Sequence, residues 1–253
     1  MNIYKLTFWR VMVAVILLSA WQIFGGDLLS NPSEIGKYLV EYAGPDGEFW
    51  PDIQSTFQAT AIGYVFGAIL GLLCGLLLAQ SEKAAMIFKP YVLAVYGIPR
   101  IALAPVFIAW FGIALLSKVM MAGMVTFMLV FFNTYEGVRA ADLDLRNTAR
   151  VLGANRWQLF FQVTLPNASP WITAGLRIAI PQALVGAVVA EFIASERGLG
   201  FRMMENTGQL AMEGVMGGVL ILMMIVVILN SILDKVEDYV LRWRPKQSDT
   251  ETT

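Results

Sequence analysis

Residues 142–166, Asp142-Leu-Asp-Leu-Arg-Asn-Thr-Ala-Arg-Val-Leu-Gly-Ala-Asn-Arg-Trp-Gln-Leu-Phe-Phe-Gln-Val-Thr-Leu-Pro166, form a long polar stretch in an otherwise apolar chain. The apolar residues between Leu143 and Leu152 give its first half one partly apolar helical face. Gly153 is suited to end that helix, because glycine accepts the left-handed conformation found at helix C-termini. A second helix is predicted to start at Arg156 and to stop before Pro166. The stretch therefore predicts two helices joined by a glycine turn, all exposed to solvent.

The chain around this stretch has the composition of a polytopic membrane protein. Of its 253 residues 57% are hydrophobic and 15% are charged, unlike an ordinary soluble domain. The absence of histidine removes the commonest metal ligand and the commonest general base. The lone Cys74 lies in an apolar run and is predicted to be a small buried residue. No disulfide framework or thiolate metal cluster is expected.

The apolar runs predict an all-α fold with six transmembrane helices, since about 20 helical residues cross a hydrocarbon core. The predicted spans are about 8–24, 56–79, 98–115, 118–133, 171–194 and 215–233. In the first span Lys5 and Arg10 precede the apolar stretch 11–24, but a good cleavage site is lacking, so it is interpreted as an uncleaved span. Pro99 and Pro105 interrupt the third span. They predict either a kinked helix or a bend that lines a pathway.

The distribution of Lys and Arg predicts the orientation. In the six-span scheme most of these residues fall on one side, which the positive-inside rule assigns to the cytoplasm. Both termini and the 142–166 loop are then cytoplasmic. The acidic loop 25–55 faces outward, where Asn31-Pro32-Ser33-Glu34 predicts the start of a short amphipathic helix on the membrane surface, and Gly44-Pro45-Asp46-Gly47 predicts the turn that ends it.

A glycine pattern in the second span predicts close helix packing. Its members, each four residues from the next, are Gly63, Gly67, Gly71 and Gly75. Small residues at this spacing let two backbones approach closely. The partner helix can belong to the same chain or to a second copy.

Few residues suggest a catalytic or substrate-binding role. The chain has no phosphate-binding loop and no assembled nucleophile and base. The candidate pathway residues are Pro99, Arg100, Pro105, Arg177 and Glu191. Arg177 can reach lipid head groups or form a structural ion pair. Glu191 can meet substrate or a partner, although a solvated helix end is the stronger expectation. Nucleic acid is not an expected partner, because Asp142 and Asp144 dilute the positive charge of the loop.

The loop resembles the EAA loop of binding-protein-dependent ABC transporter permeases. The family pattern is Glu-Ala-Ala, three residues, Gly, nine residues and Ile-x-Leu-Pro. This chain matches it at Ala149, Gly153, Leu165 and Pro166, and departs at Asn147 and Thr148. Further segments resemble the branch that imports taurine, aliphatic sulfonates and nitrate: 98–112, 133–137, 190–193 and 198–201.

The resemblance implies that residues 1–253 form one permease domain in a bacterial plasma membrane. Two copies, or this chain and a close relative, would form the pathway for a sulfonate, taurine, nitrate or a related small anion, delivered by an external binding protein. Two cytoplasmic ATPase subunits, which carry the ATP and Mg²⁺, would bind the loop. The residues implied in that contact are Asn147, Thr148, Ala149, Gly153, Ala154, Leu165 and Pro166. The alternatives from the residues alone are a secondary transporter or channel that needs no ATPase and, more remotely, a membrane enzyme.

Overall fold

The computed structural model describes residues 3–24, 26, 30–42, 44, 47, 49–140 and 143–240. Every regular element in these ranges is helical. The helices are α1 (Ile3–Phe24), α2 (Pro32–Tyr42), α3 (Trp50–Ala79), α4 (Glu82–Tyr96), α5 (Arg100–Phe111), α6 (Leu115–Arg139), α7 (Leu143–Val151), α8 (Arg156–Gln158), α9 (Leu165–Ile193), α10 (Leu199–Gly208) and α11 (Met212–Val240). A π-helical segment, Leu159–Thr164, joins α8 to α9.

The glycine face of α3 lies against α6. A Cβ at Gly63 would stand 2.6 Å from the Val119 carbonyl oxygen, and one at Gly71 would stand 2.7 Å from that of Phe127. Gly67 and Gly75 meet α6 in the same way. Only glycine allows this approach, because a Cβ at these positions would overlap α6. Such close packing stabilises helix pairs in lipid, where the hydrophobic effect does not drive them together.

These contacts also set the helix directions. From Gly63 to Gly75 along α3, the partner on α6 advances from Val119 to Thr134, so α3 and α6 run parallel. On α9 the order is reversed, since Gly175 meets Asn133 and Gly186 meets Ala122. The helix α9 is therefore antiparallel to both, and α3, α6 and α9 form the centre of the bundle.

Four helical stretches in the described ranges are long and apolar enough to cross a membrane: Trp50–Ala79, Leu115–Arg139, Arg156–Ile193 and Met212–Lys235. Taken together, α4 and α5 are also long and apolar enough for one span, which is bent by 92° between them. The helix α1 carries a shorter apolar stretch, Thr7–Ile23. The multi-pass helical fold is thereby confirmed, whereas the count of six spans stays a prediction.

The predicted third span, about 98–115, is broken near its start, as the prolines indicated. The helix α5 covers only Arg100–Phe111, and the chain turns sharply between Tyr96 and Arg100. Pro99 is the physical cause, because it lacks an N–H and disfavours the helical conformation of Ile98 before it. Pro105 lies inside α5 without ending it.

Two further predictions from the sequence, the burial of Cys74 and the helix after Asn31, have different outcomes. Cys74 is exposed on α3, so its predicted burial is wrong. The predicted helix after Asn31 is present as α2, where the backbone N–H of Asn31 donates to the Glu34 carboxylate at 2.9 Å. This helix packs on α11 rather than lying alone on a membrane surface. In the turn predicted at 44–47, Pro45 and Asp46 lie outside the described residues.

Candidate functional site

The predicted glycine turn joins α7 to α8. Gly153 has φ +87°, its N–H donates to the Arg150 carbonyl, and the N–H of Ala154 donates to the Ala149 carbonyl, both at 3.0 Å. This pair of hydrogen bonds is the Schellman arrangement that ends a helix on a left-handed glycine. The sequence pattern Ala149, Gly153, Ala154 thus has a definite geometry. Asp142, at the start of the predicted loop, lies outside the described residues.

The second arm of the loop begins with a capping box. The Asn155 side chain accepts from the Gln158 N–H, and the Asn155 N–H donates to the Gln158 side chain, both at 2.9 Å. Each side chain satisfies a backbone N–H that the first helical turn would otherwise leave unpaired. Only residues 152–155 separate the two arms, and their hydrogen bonds hold the turn in one conformation.

The predicted end of this arm before Pro166 is wrong. The helix continues from Arg156 through the π segment into α9, and Pro166 lies in the first turn of α9. A proline is tolerated there because the preceding π-helical segment has already shifted the backbone hydrogen bonds away from the i→i−4 pattern that a proline would break. The loop is consequently joined to α9 without a flexible linker.

Several large apolar side chains of this loop are exposed in the single chain. Val151 is 87% exposed, Leu152 is 81% exposed and Trp157 is 72% exposed. The Trp157 ring stacks on Phe161, with 5.8 Å between their centroids. The other residues implied in the ATPase contact differ in burial: Asn147 and Thr148 are exposed, whereas Ala149, Ala154, Leu165 and Pro166 are half-buried.

A second polar site lies at the opposite end of α9. Glu191 is 1% exposed, so the expected solvated helix end is wrong. Its carboxylate accepts from the Thr56 hydroxyl at 2.9 and 3.0 Å and pairs with the Lys118 ammonium at 3.4 Å. Lys118 also donates to the Ser55 hydroxyl and to the Arg197 carbonyl. Helices α3, α6 and α9 thus meet at one buried charge pair.

The N-terminus of α10 completes this cluster. The N–H of Gly198 donates to Asp52 at 2.7 Å, that of Leu199 to the Thr56 hydroxyl at 2.8 Å, and that of Gly200 to Glu191 at 2.8 Å. Carboxylates are favourable at this position because a helix N-terminus carries partial positive charge. A Cβ at Gly198 would overlap the Glu191 carboxylate, so glycine is needed there.

Sequence reasoning did not find Asp52 and Lys118 as members of this cluster. Their only signal was indirect, in the 190–193 and 198–201 segments that carried the family resemblance. Neither residue stands out locally, since Asp52 follows Pro51 at a helix start and Lys118 looked like one charge of an outer loop. Their partners are distant in sequence, since Gly198 lies 146 residues from Asp52 and Arg197 lies 79 residues from Lys118.

The remaining charged candidates lie elsewhere on α9 and α5. Arg177 pairs with Asp234 at 2.7 Å and with Glu237, both on α11, which agrees with the structural ion-pair interpretation. Arg100 does not join that pair or the Glu191 cluster. Its Nη1 donates to the Gln182 side chain at 3.2 Å, and its guanidinium lies over the Tyr96 ring.

Together these features define a class: a multi-pass helical membrane protein that presents a rigid helix-turn-helix at one end of its bundle. Residues 63–244 match the family described as binding-protein-dependent transport system inner membrane component. The chain belongs to this family, which confirms the resemblance drawn from its sequence.

Two relatives illustrate the similarity. The chain is 30% identical over 240 residues to the formylaminopyrimidine transport permease protein ThiX of Halalkalibacterium halodurans, with 95% of each chain covered. It is also 30% identical over 240 residues to the putative aliphatic sulfonates transport permease protein SsuC of Bacillus subtilis, covering 92% of this chain and 87% of the relative.

A solved structure shows the same fold. A chain of the inward-facing MetNI methionine ABC transporter superposes with a TM-score of 0.61 at 20% identity, covering 76% of this chain and 94% of that chain. The family is a non-catalytic membrane component, so this chain is not the ATP-hydrolysing subunit. The family implies an ATPase and a binding protein as partners.

Proposed function

We propose that this chain is the pathway-forming subunit of an ATP-driven importer and that residues 143–166 bind its ATPase. The observation that carries the proposal is the exposed apolar surface of Val151, Leu152 and Trp157 on a rigid turn. Apolar surface left in water costs about 25 cal/mol per Å². A cluster of such side chains beside polar residues marks an interaction site.

The geometry suits the transmission of movement. The Schellman turn and the capping box fix the two arms of the loop relative to each other. The second arm is continuous with α9, and α9 reaches the Glu191 cluster at its far end. A displacement of α7 by a bound ATPase would therefore move α9 as a body, whereas a flexible linker would absorb it.

In this proposal the loop and both termini are cytoplasmic, and two permease copies form the pathway. The positive-inside distribution of Lys and Arg supports the orientation. ATP and Mg²⁺ would be held by the ATPase subunits. The relatives are named as transport permeases, and they lend no support to a secondary transporter or channel.

The proposed cargo is a small anion such as a sulfonate, taurine or nitrate. The similarity to a permease named for aliphatic sulfonates supports it, while another relative is named for formylaminopyrimidine. Calorimetric titration of the external binding protein with taurine, ethanesulfonate, nitrate and formylaminopyrimidine decides between them. Binding of the pyrimidine alone would reject an anionic cargo.

Substitution at the turn tests the ATPase-binding role. Gly153→Asp puts a side chain at φ +87° and a negative charge at a helix C-terminus, where it is unfavourable. A bulky change, Ala149→Trp, alters the same turn. Each is expected to lower ATP-driven uptake by about tenfold or more, measured in proteoliposomes with the ATPase and the binding protein.

The matched control is Gly208→Asp, at the end of α10 away from the loop. A Cβ at Gly208 meets nothing within 4 Å, so normal uptake is expected. The proposal fails if the Gly153 and Ala149 variants co-purify with the ATPase in normal amounts and drive uptake at the normal rate.

A further inference from the structure

Arg100 occupies an unusual position in the bundle. It begins α5, directly after the sharp bend that follows α4, and its side chain is half-buried. Nη1 donates to the Gln182 side chain on α9 at 3.2 Å. The guanidinium lies 5.6 Å from the centre of the Tyr96 ring, and that ring packs edge-on against Phe132 of α6.

The contact with Gln182 places this cation deep within the bundle. Along α9, Gln182 lies about 8 Å from the level of Arg177 and about 14 Å from the level of Glu191, at about 1.5 Å per residue. Gln182 belongs to the apolar stretch Arg156–Ile193. The guanidinium therefore lies at membrane depth, where a charged side chain is costly and marks a functional site by default.

The other cations on these helices that reach membrane depth have carboxylate partners. Lys118 pairs with Glu191, and Arg177 pairs with Asp234 and Glu237. Among the described residues no carboxylate lies within ion-pair distance of Arg100, whose contacts are a neutral amide and an aromatic ring. Arginine cannot relieve this cost by losing its proton, so water or an anion beside the half-buried guanidinium would stabilise it.

The backbone beside Arg100 also points to water. Between Tyr96 and Arg100 the helix is interrupted by Gly97, Ile98 and Pro99. Non-helical backbone at membrane depth is tolerated only where protein covers it or where it lines a water-filled cavity. The bend and the uncompensated cation lie next to each other, and one aqueous pathway would satisfy both.

We propose that Arg100, positioned by Gln182 and Tyr96, lines the translocation pathway and binds the anionic group of the cargo as it passes. This inference rests on the importer function proposed above. The guanidinium offers five N–H donors in a planar fork, which matches the oxygens of a sulfonate or carboxylate. One N–H of the Arg100 guanidinium donates to Gln182, and the Tyr96 ring orients the guanidinium plane. The remaining N–H donors therefore keep a defined direction.

Charged thiol reagents test the inference even while the cargo is unidentified. The chain is co-expressed with its ATPase and binding protein, and the exposed Cys74 is replaced by Ser. In this background Gln182→Cys places a thiol beside Arg100. Membrane vesicles are then treated, with and without ATP, with an anionic sulfonatoethyl or a cationic trimethylammonioethyl methanethiosulfonate. Each rate is divided by the rate of the same reagent with a free thiol.

We expect the normalised rate to be about tenfold higher for the sulfonate reagent than for the trimethylammonium reagent, as in a cleft that focuses positive potential. The ratio of these two normalised rates is the quantity compared between variants. Arg100→Gln should bring the ratio to about one, and Arg100→Lys should retain most of it. The control Arg177→Gln, which also removes a cation from the bundle, should leave the ratio unchanged. A change in thiol ionisation affects both reagents equally and so does not alter the ratio.

Two outcomes would overturn the assignment. One is an introduced thiol at position 182 that reacts with neither reagent in either nucleotide condition, which would place Arg100 against lipid or protein. The other is a ratio that does not respond to Arg100→Gln. Absence of ATP-driven uptake by the complex that retains Gln182 and Arg100, with an intact ratio in the cysteine variant, would instead count against the importer function and leave the anion site standing.

Discussion

At the scale of single residues, the Lys118–Glu191 pair is a buried ion pair held by several further groups. Both side chains are almost fully buried, at 3% and 0% exposure. Desolvation of two charges is expensive, and the pair is tolerable because Thr56 and the Gly200 N–H also satisfy the carboxylate. The cluster therefore depends on all its members being present together.

Removal of either charge should destabilise the protein, and removal of both should cost less than the two single losses added together. Lys118→Met or Glu191→Gln leaves an uncompensated buried charge or a mismatched amide, at a cost of about 3–5 kcal/mol. The double variant is expected to cost clearly less than the sum of the two single variants. Thermal unfolding of the chain in lipid nanodiscs measures these differences.

The exposed pair Lys89–Glu136 provides the comparison. Its side chains are 41% and 52% exposed, and substitution of either should change stability by less than about 1 kcal/mol. Additive losses at Lys118 and Glu191, or losses no larger than those at Lys89 and Glu136, would show that the buried pair is not coupled.

At the scale of helices, the sequence predicted features that depend on local spacing. The four-residue glycine repeat implies one face of a helix in any fold, and Gly153 implies a left-handed turn wherever the helix ends. The partner of the glycine face was left open because it depends on which helix lies beside α3. The structure places α6 there, from Val119 to Thr134.

Some features that sequence reasoning missed depend on distant contacts, and one depends on an irregular helical turn next to it. Glu191 looked like a helix end at the membrane surface, and only α10, folding back over it, buries its carboxylate. Pro166 looked like a helix stop, whereas the preceding π segment and the first turn of α9 accommodate it. Pro99 was recognised as a break, but the 92° bend also depends on how α5 packs against α6 and α9.

At the scale of the whole molecule, the helix directions bear on the number of crossings. Because α3 and α6 run parallel, the chain that leaves α3 at Ala79 must return to the opposite end of the bundle before α6 begins at Leu115. Only α4 and α5 are available for that return. A re-entrant loop that started and finished at one end could not connect parallel helices. The bent pair is therefore expected to serve as one crossing, which with α1 gives six.

Cysteine labelling from the two sides of the membrane measures this topology. In a Cys74→Ser background, single cysteines replace Ser81, Ile113, Asn147 or Gln209, all of which are exposed. An impermeant maleimide should label positions 81 and 147 only in inside-out vesicles and positions 113 and 209 only in right-side-out vesicles. The reason is that α3 and α6 both end at the side of the loop, whereas α5 and α9 both lead to the side of α10. Labelling of positions 81 and 113 from the same side would exclude α4 and α5 as a crossing, and labelling of position 147 from outside would invert the proposed orientation.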